Sequence, residues 1–112
     1  MKHQIKYSPS AIRDLDRIWF EVFSASKDPK ITEKYIGDLL NKVKTKSEFP
    51  KTGIPLYYEN LFTGYYFTRF KSYLAFYRID GNQILVDRIL YAKSDYMNIL
   101  GIASSEDTDP EQ

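Results

Sequence analysis

Residues 65–91 read YYFTRF-KS-YLAFYRI-DGNQ-ILVDRILY, and this stretch decides the fold. Tyr65–Phe70, Tyr73–Ile79 and Ile84–Tyr91 are three short runs dense in aromatic and β-branched residues, the composition that suits a pleated, half-buried surface. Lys71-Ser72 and Asp80-Gly81-Asn82 separate them, and Asp-Gly is a strong tight-turn signal because glycine and aspartate tolerate the positive φ that such turns need. The three runs therefore predict an antiparallel meander. Alternate strand residues point to opposite faces, so about half of Tyr65, Tyr66, Phe67, Phe70, Tyr73, Phe76 and Tyr77 must lie beneath a covering layer. The other half is more apolar surface than a lone monomer leaves open, which predicts a partner surface.

The covering layer is written upstream. Ser8 is placed to cap a helix with Pro9 at its first position, where a missing N–H is harmless. Ala11, Leu15, Ile18, Trp19, Val22 and Phe23 then recur at spacings of three and four, one apolar face of a helix from about Pro9 to Ser24. Arg13, Asp14, Asp16, Arg17 and Glu21 are expected mostly outward, as a solvated face. Asp28-Pro29 repeats the start signal for a second helix, to about Lys46, with Ile31, Tyr35, Ile36, Leu39, Leu40 and Val43 inward. Two such helices joined by a short turn form an antiparallel hairpin that needs a sheet to cover. Gln4–Tyr7 is a short first strand. Lys51–Gly64 reads as a loop with a brief extended piece at Leu56–Tyr58, and Tyr96–Leu100 as a last helical turn. The expected class is α+β in the order β-α-α-β-β-β, a long helical hairpin on a curved, mostly antiparallel sheet. Residues 1–101 form the domain, and 102–112 an acidic tail expected to be disordered.

Composition narrows the function classes. Ten tyrosines, seven phenylalanines and one tryptophan in 112 residues allow even this short chain a usable core. Cysteine is absent and His3 is the only histidine, so neither disulfides nor a zinc site of the usual donors is expected, and no cofactor is implied. The charged start lacks a signal-peptide pattern, and no apolar run approaches the roughly 20 residues that span a bilayer. A cytoplasmic protein without a membrane partner is expected. Sixteen basic residues face fifteen acidic ones, but Glu106, Asp107, Asp109 and Glu111 sit in the tail; removing those four leaves eleven acids and a body near +5. Such a body tolerates a polyanionic partner without requiring one.

Three local patterns, in this order and spacing, carry a resemblance. Tyr7-Ser8-Pro9-Ser10-Ala11 followed by Asp14-Leu15 and Ile18-Trp19 resembles a strand that runs into a Ser-Pro cap and helix. Tyr73–Asp80 (YLAFYRID) resembles a strand of tyrosine, basic residue, two apolar residues, tyrosine and turn. Arg88-Ile89-Leu90-Tyr91-Ala92-Lys93-Ser94-Asp95-Tyr96 resembles a terminal motif of arginine, two apolar residues, histidine, any residue, arginine, any residue and aspartate. Together they cover residues 4–100 and resemble the RelE/ParE superfamily, the toxins of bacterial type II toxin–antitoxin systems. The resemblance implies growth inhibition, plasmid stabilisation and a tight complex with a cognate antitoxin, through which alone operator DNA would be contacted.

Two targets follow from the two branches of that superfamily. Ribosome-dependent mRNA endonucleases place an arginine after the strand tyrosine, where this chain has Leu74. The terminal histidine position is Tyr91, and the arginine two further on is Lys93. Cleavage by a 2′-hydroxyl needs a base, a phosphate stabiliser and an acid. If the chain is a nuclease, Arg69, Arg78, Arg88, Tyr91 and Lys93 are the candidates, with Glu59 or a perturbed lysine as the base. The long hairpin and the Asp14-Leu15-x-x-Ile18-Trp19 stretch are similar to the ParE branch, which poisons DNA gyrase by protein contact. On that reading Arg78, Arg88, Lys93 and Tyr96 bind the target, unless the two arginines are spent on Asp87, Asp95 or helix carboxylates. Trp19, Phe23, Tyr65, Phe67 and Tyr73 are the expected antitoxin surface. A degenerate, non-toxic binding module is the third alternative.

Overall fold

Each helix begins where its cap and proline stand together. In the computed structural model, which describes residues 2–103, the Ser8 side chain accepts from the Ala11 N–H and opens α1 (Pro9–Ser26). Asp28 accepts from the Lys30 N–H and opens α2 (Pro29–Lys44). Lys27, in the left-handed region at φ 60°, ends α1 by donating its N–H to the Phe23 carbonyl, so the hairpin turn is tight. The first strand, β1, is Gln4–Tyr7.

After a single 3-10 turn at Pro50–Thr52 come β2 (Ile54–Tyr58), β3 (Leu61–Phe70), β4 (Tyr73–Asp80) and β5 (Gln83–Tyr91), then the short α3 (Tyr96–Ile99). They form one five-stranded sheet in the order β1-β5-β4-β3-β2. The meander is antiparallel throughout, and β1 lies parallel to β5 at the edge. The sheet thus has one strand more than the expected order. The extended piece starts at Ile54 and pairs with β3, which itself begins at Leu61, with a register shift between Pro55 and Tyr57. The signal was hidden because Pro55 and the positive-φ pair Glu59-Asn60 give the segment a loop-like composition, although that pair is what turns the chain between two strands.

Two cores lie on the two faces. Beneath the helical hairpin, Tyr73, Ala75 and Tyr77 of β4 and Ile84, Val86 and Ile89 of β5 pack against Ala11, Ile18, Leu39 and Val43. The opposite face is also closed. Leu56, Leu74, Phe76 and Leu90 form a second buried cluster, covered by Tyr96, Met97, Leu100 and Ile102. This corrects two expectations. Part of the aromatic surface of the strands is covered by the chain's own C-terminal turn, while Ile54, Tyr57, Leu61 and Phe62 of β2 and β3 stay exposed, and Ile102 belongs to the packed body rather than to a tail. The acidic stretch itself lies outside the described residues.

Two helix assignments are also corrected. Ile31, expected inward, is 53% exposed, and Asp14, expected outward, is 1% exposed. Close packing elsewhere is set by Gly53, which sits against the buried Tyr77 ring. A Cβ there would overlap the Tyr77 Oη and lie 2.9 Å from Cζ and 3.2 Å from the Phe67 carbonyl oxygen. The Tyr77 hydroxyl donates to the Pro50 carbonyl, so it has little room to yield. Gly53→Ala is expected to cost about 2 kcal/mol through overpacking and loss of that bond. Thermal unfolding should read this as a Tm lowered by roughly 10 °C, and an unchanged Tm would show that the ring is free to move.

Candidate functional site

The side chains with chemical capacity gather where β5 bulges. The β4–β5 register shifts between Phe76 and Tyr77, so Phe76 pairs with Arg88, Tyr77 with Val86, and Asp87 is the extra residue. A bulge re-aims side chains. Here it brings Asp87 under Tyr65 and Arg78, while Arg88 reaches the start of α1. Ser8 secures the junction by donating to the Asp87 carbonyl at 2.7 Å. A cleft of about 290 Å³ lies over the bulge, lined by Ser8, Ser10, Tyr65, Asp87 and Arg88, with Ile99 and Leu100 as its apolar wall.

Arg78 and Arg88 do share this region, and each is held by its own carboxylate. Arg78 donates Nε to Asp87 at 2.8 Å and lies over the Tyr65 ring at 5.9 Å. The Tyr65 hydroxyl donates to the same carboxylate at 2.8 Å. Burial, reinforced by Asp87, pushes the Tyr65 phenol up to about 12, so it stays protonated at neutral pH and cannot act as a base.

Arg88 donates Nε and Nη2 to the two oxygens of Asp14 at 2.8 and 2.9 Å. Asp14 also accepts from the Ile89 N–H at 2.9 Å and from Arg17 at 2.8 Å. Burial alone would raise this carboxyl, but the Arg88, Ile89 and Arg17 bonds outweigh it and hold it below the ordinary aspartate range. Arg17 extends the chain of charges to Glu21 at 3.5 Å, and Glu21 accepts from the Tyr73 hydroxyl at 2.6 Å. Arg78 and Arg88 are thus spent on Asp87 and on the helix carboxylate Asp14. Asp14, expected outward, faces inward instead. It stands three residues after Ala11 and four before Ile18, on the buried row itself.

The other candidates divide between surface and interior. Arg69 is exposed and donates to the Lys71 carbonyl at 2.8 Å. Lys93 is exposed and has no ion pair among the described residues. Tyr91 is 47% exposed, edge-on to Tyr73 at 6.2 Å. Tyr96 packs on Phe76 at 5.1 Å, inside the second core. Leu74, at the arginine position of the nucleases, is buried there too. Glu59 stands exposed at the β2–β3 turn, away from the bulge.

Of the five residues expected to meet an antitoxin, Tyr73 is 8% exposed, Phe67 packs in the second core and Tyr65 is bound to Asp87. Trp19 and Phe23 are half-buried, as Tyr65 and Phe67 are, and stack at 5.2 Å. Phe20, which sequence reasoning missed because it falls off the inward row, joins them edge-on to Trp19 at 5.6 Å and is 66% exposed. The described residues include no cluster of three or more metal-ligating side chains and no helix long and apolar enough to cross a membrane.

A helical hairpin over a mostly antiparallel sheet, closed by a C-terminal turn, is the architecture of RelE/ParE-type toxins. The family model described as the ParE toxin of the type II toxin–antitoxin system, parDE, matches residues 5–96, and the chain belongs to that family. Among solved structures it is similar to a chain of the chromosomal ParDE toxin–antitoxin system from P. aeruginosa, with a TM-score of 0.67 and 21% identity over 82% of this chain and 98% of that one. It is also similar to a chain of the RelBE2 toxin–antitoxin complex from Mycobacterium tuberculosis, with a TM-score of 0.58 and 21% identity over 81% and 99% of the two chains. No curated protein matches it by sequence.

Proposed function

We propose that this type II toxin arrests growth by binding DNA gyrase, as the ParE branch does, and does not cleave RNA. The observation that carries the reading is the pairing of both sheet arginines, Arg78 with Asp87 and Arg88 with Asp14. A nuclease must present unspent positive charge to a crowded phosphate. Here Arg78 and Arg88 are neutralised within the fold, which leaves the exposed Arg69 and Lys93 of that set without an ion pair among the described residues; Leu74 is buried, and Tyr65 is a neutral phenol. The groups left for a protein target lie at the end of β5, where Lys93 and Tyr91 are exposed.

The purified toxin should inhibit supercoiling by gyrase and leave mRNA intact on translating ribosomes. Induced expression should give filamentation and DNA-damage signals. Lys93→Glu together with Tyr91→Ala should weaken gyrase inhibition at least about tenfold, the loss of one good interfacial contact. Both side chains are exposed, so Tm should move little. Codon-phased mRNA cuts would replace this reading with the nuclease one, and unimpaired growth would make the chain a non-toxic binding module. A cognate antitoxin is the implied second partner, bound in part through Trp19 and Phe23.

A further inference from the structure

Arg69 and Lys93, the two candidate cations left without a carboxylate, meet at one end of the sheet. Arg69 pairs in register with Leu74, and Leu74 with Leu90, so the three share a face. It is the face closed by the C-terminal turn, since Leu74 and Leu90 lie beneath Tyr96, Met97, Leu100 and Ile102. Arg69 Nε donates to the Lys71 carbonyl at 2.8 Å. The Ala92 N–H donates to the Ser72 carbonyl at 2.7 Å, which brings Lys93 to the same β3–β4 turn. Arg69, Lys71 and Lys93 are all exposed and without ion pairs among the described residues. The acids nearby are mostly committed elsewhere. Asp38, beside Lys71, is bound to Lys34 at 3.0 Å, and Glu21, at the Tyr73 hydroxyl, pairs with Arg17 at 3.5 Å. Asp95 is exposed and unpaired, so three cations face one free acid among the described residues.

The chain leaves the described fold beside this cluster. Gly101, at φ 77°, reverses it after α3, and the N–H groups of Ile102 and Ala103 donate to the Met97 carbonyl at 2.9 and 3.1 Å. Met97 stands four residues after Lys93, so about 14 Å at most separates their Cα atoms. Residues 104–112 follow, with Glu106, Asp107, Asp109 and Glu111 and no basic residue. Nine residues reach about 30 Å when extended, more than enough to span the cluster. We propose that this acidic segment docks across Arg69, Lys71 and Lys93 of its own chain. Tethering keeps it there at an effective concentration on the order of millimolar, which populates a charge contact too weak for a free peptide. Docked, it shields the three cations from nucleic-acid phosphates and keeps a body near +5 from settling on polyanions.

Heparin binding at low salt reads the shielding in the full-length chain. One background keeps the native segment, and the other carries Glu106→Gln, Asp107→Asn, Asp109→Asn and Glu111→Gln. Arg69→Ser with Lys93→Ser should weaken heparin binding at least about tenfold in the neutralised background. With the native segment the same pair should cost less than about twofold, because those cations are already covered. A segment acting only through net charge gives equal losses in both backgrounds, and that result overturns the proposal. Lys30→Ser with Lys42→Ser, exposed on α2, is the control and should cost the same in both. All these side chains of the described fold are exposed, so Tm should move little. Zero-length carbodiimide coupling then maps the contact. In the monomer it should join the segment's carboxylates to Lys71 or Lys93 at low salt, and fail at about 0.5 M salt. Links to Lys30 or Lys42 instead, or links formed only between two molecules, overturn the proposal. Neither measurement needs a target, so this contact and the gyrase reading stand or fall separately.

Discussion

Asp14→Ala is expected to destabilise the toxin by about 3 kcal/mol, the cost of leaving the other half of a buried pair without its partner. The Asp14 side chain is 2% exposed, and its removal strips Arg88 of two bonds and the Ile89 N–H of its acceptor. Arg88 is 28% exposed and recovers some hydration, which keeps the figure at the lower end of such losses. Asp14→Asn retains an acceptor for Ile89 but not the charge, so it should lose about half as much. Denaturant unfolding decides the matter. An unchanged midpoint in Asp14→Ala would mean that the cluster does not hold α1 to β5.

The same cluster sets an acid limit. Asp14 is depressed in the folded state, so the unfolded chain binds its proton more readily than the native one. Its contribution is therefore complete above the ordinary aspartate value near 4, and is lost as pH falls from there through the depressed native value. Wild type and Asp14→Asn should accordingly differ most in stability near neutral pH and converge in acid.

Phe76→Ala is expected to cost about 4 kcal/mol, as for other buried phenylalanines cut to alanine. Phe76 is fully buried between Phe67 at 5.6 Å and Tyr96 at 5.1 Å, and it links the sheet to the C-terminal turn. α3 has only four residues and no cap bond from a side chain, so its position depends on such packing. Amide exchange over residues 96–102 should accelerate in Phe76→Ala even under conditions where the sheet stays protected. Leu61→Ala is the control. That residue is 72% exposed, and its loss should stay within about 0.5 kcal/mol. Equal effects of the two substitutions would show that the second cluster is not a core.

Much of this architecture was legible because the signals are local. Ser8-Pro9 and Asp28-Pro29 start helices wherever they precede an apolar period, and Asp80-Gly81 turns a chain between two strands whatever surrounds it. Where local signals conflict, the reading failed. Pro55, Glu59 and Asn60 suggested a loop, but pairing with β3 overrides composition. Ile31 matched the helical period and still faces solvent, because it falls at the margin of the stripe, next to the fully buried Thr32 that defines the inward row with Leu39 and Val43.

The candidate site was legible as a set of residue types and not as an arrangement. Arg78, Arg88 and Asp87 were all visible, but whether the arginines were free depended on a register shift in β4–β5 and on Asp14, which lies 74 residues from Arg88 along the chain. No local pattern encodes a contact at that separation. The exposed aromatics show the same division. Tyr65, Phe67 and Tyr73 looked available until the strands were placed between two covering layers, and Phe20 looked incidental until it stood at the surface beside Trp19.

By itself, then, the sequence determined the helical hairpin, the meander and the family resemblance, all of which rest on periodicity, caps and turns acting over a few residues. Only the tertiary structure decided the fifth strand, the second core beneath the C-terminal turn and the neutralisation of Arg78 and Arg88. Each of these depends on which distant segments meet, and burial and charge pairing are properties of that meeting rather than of any residue alone.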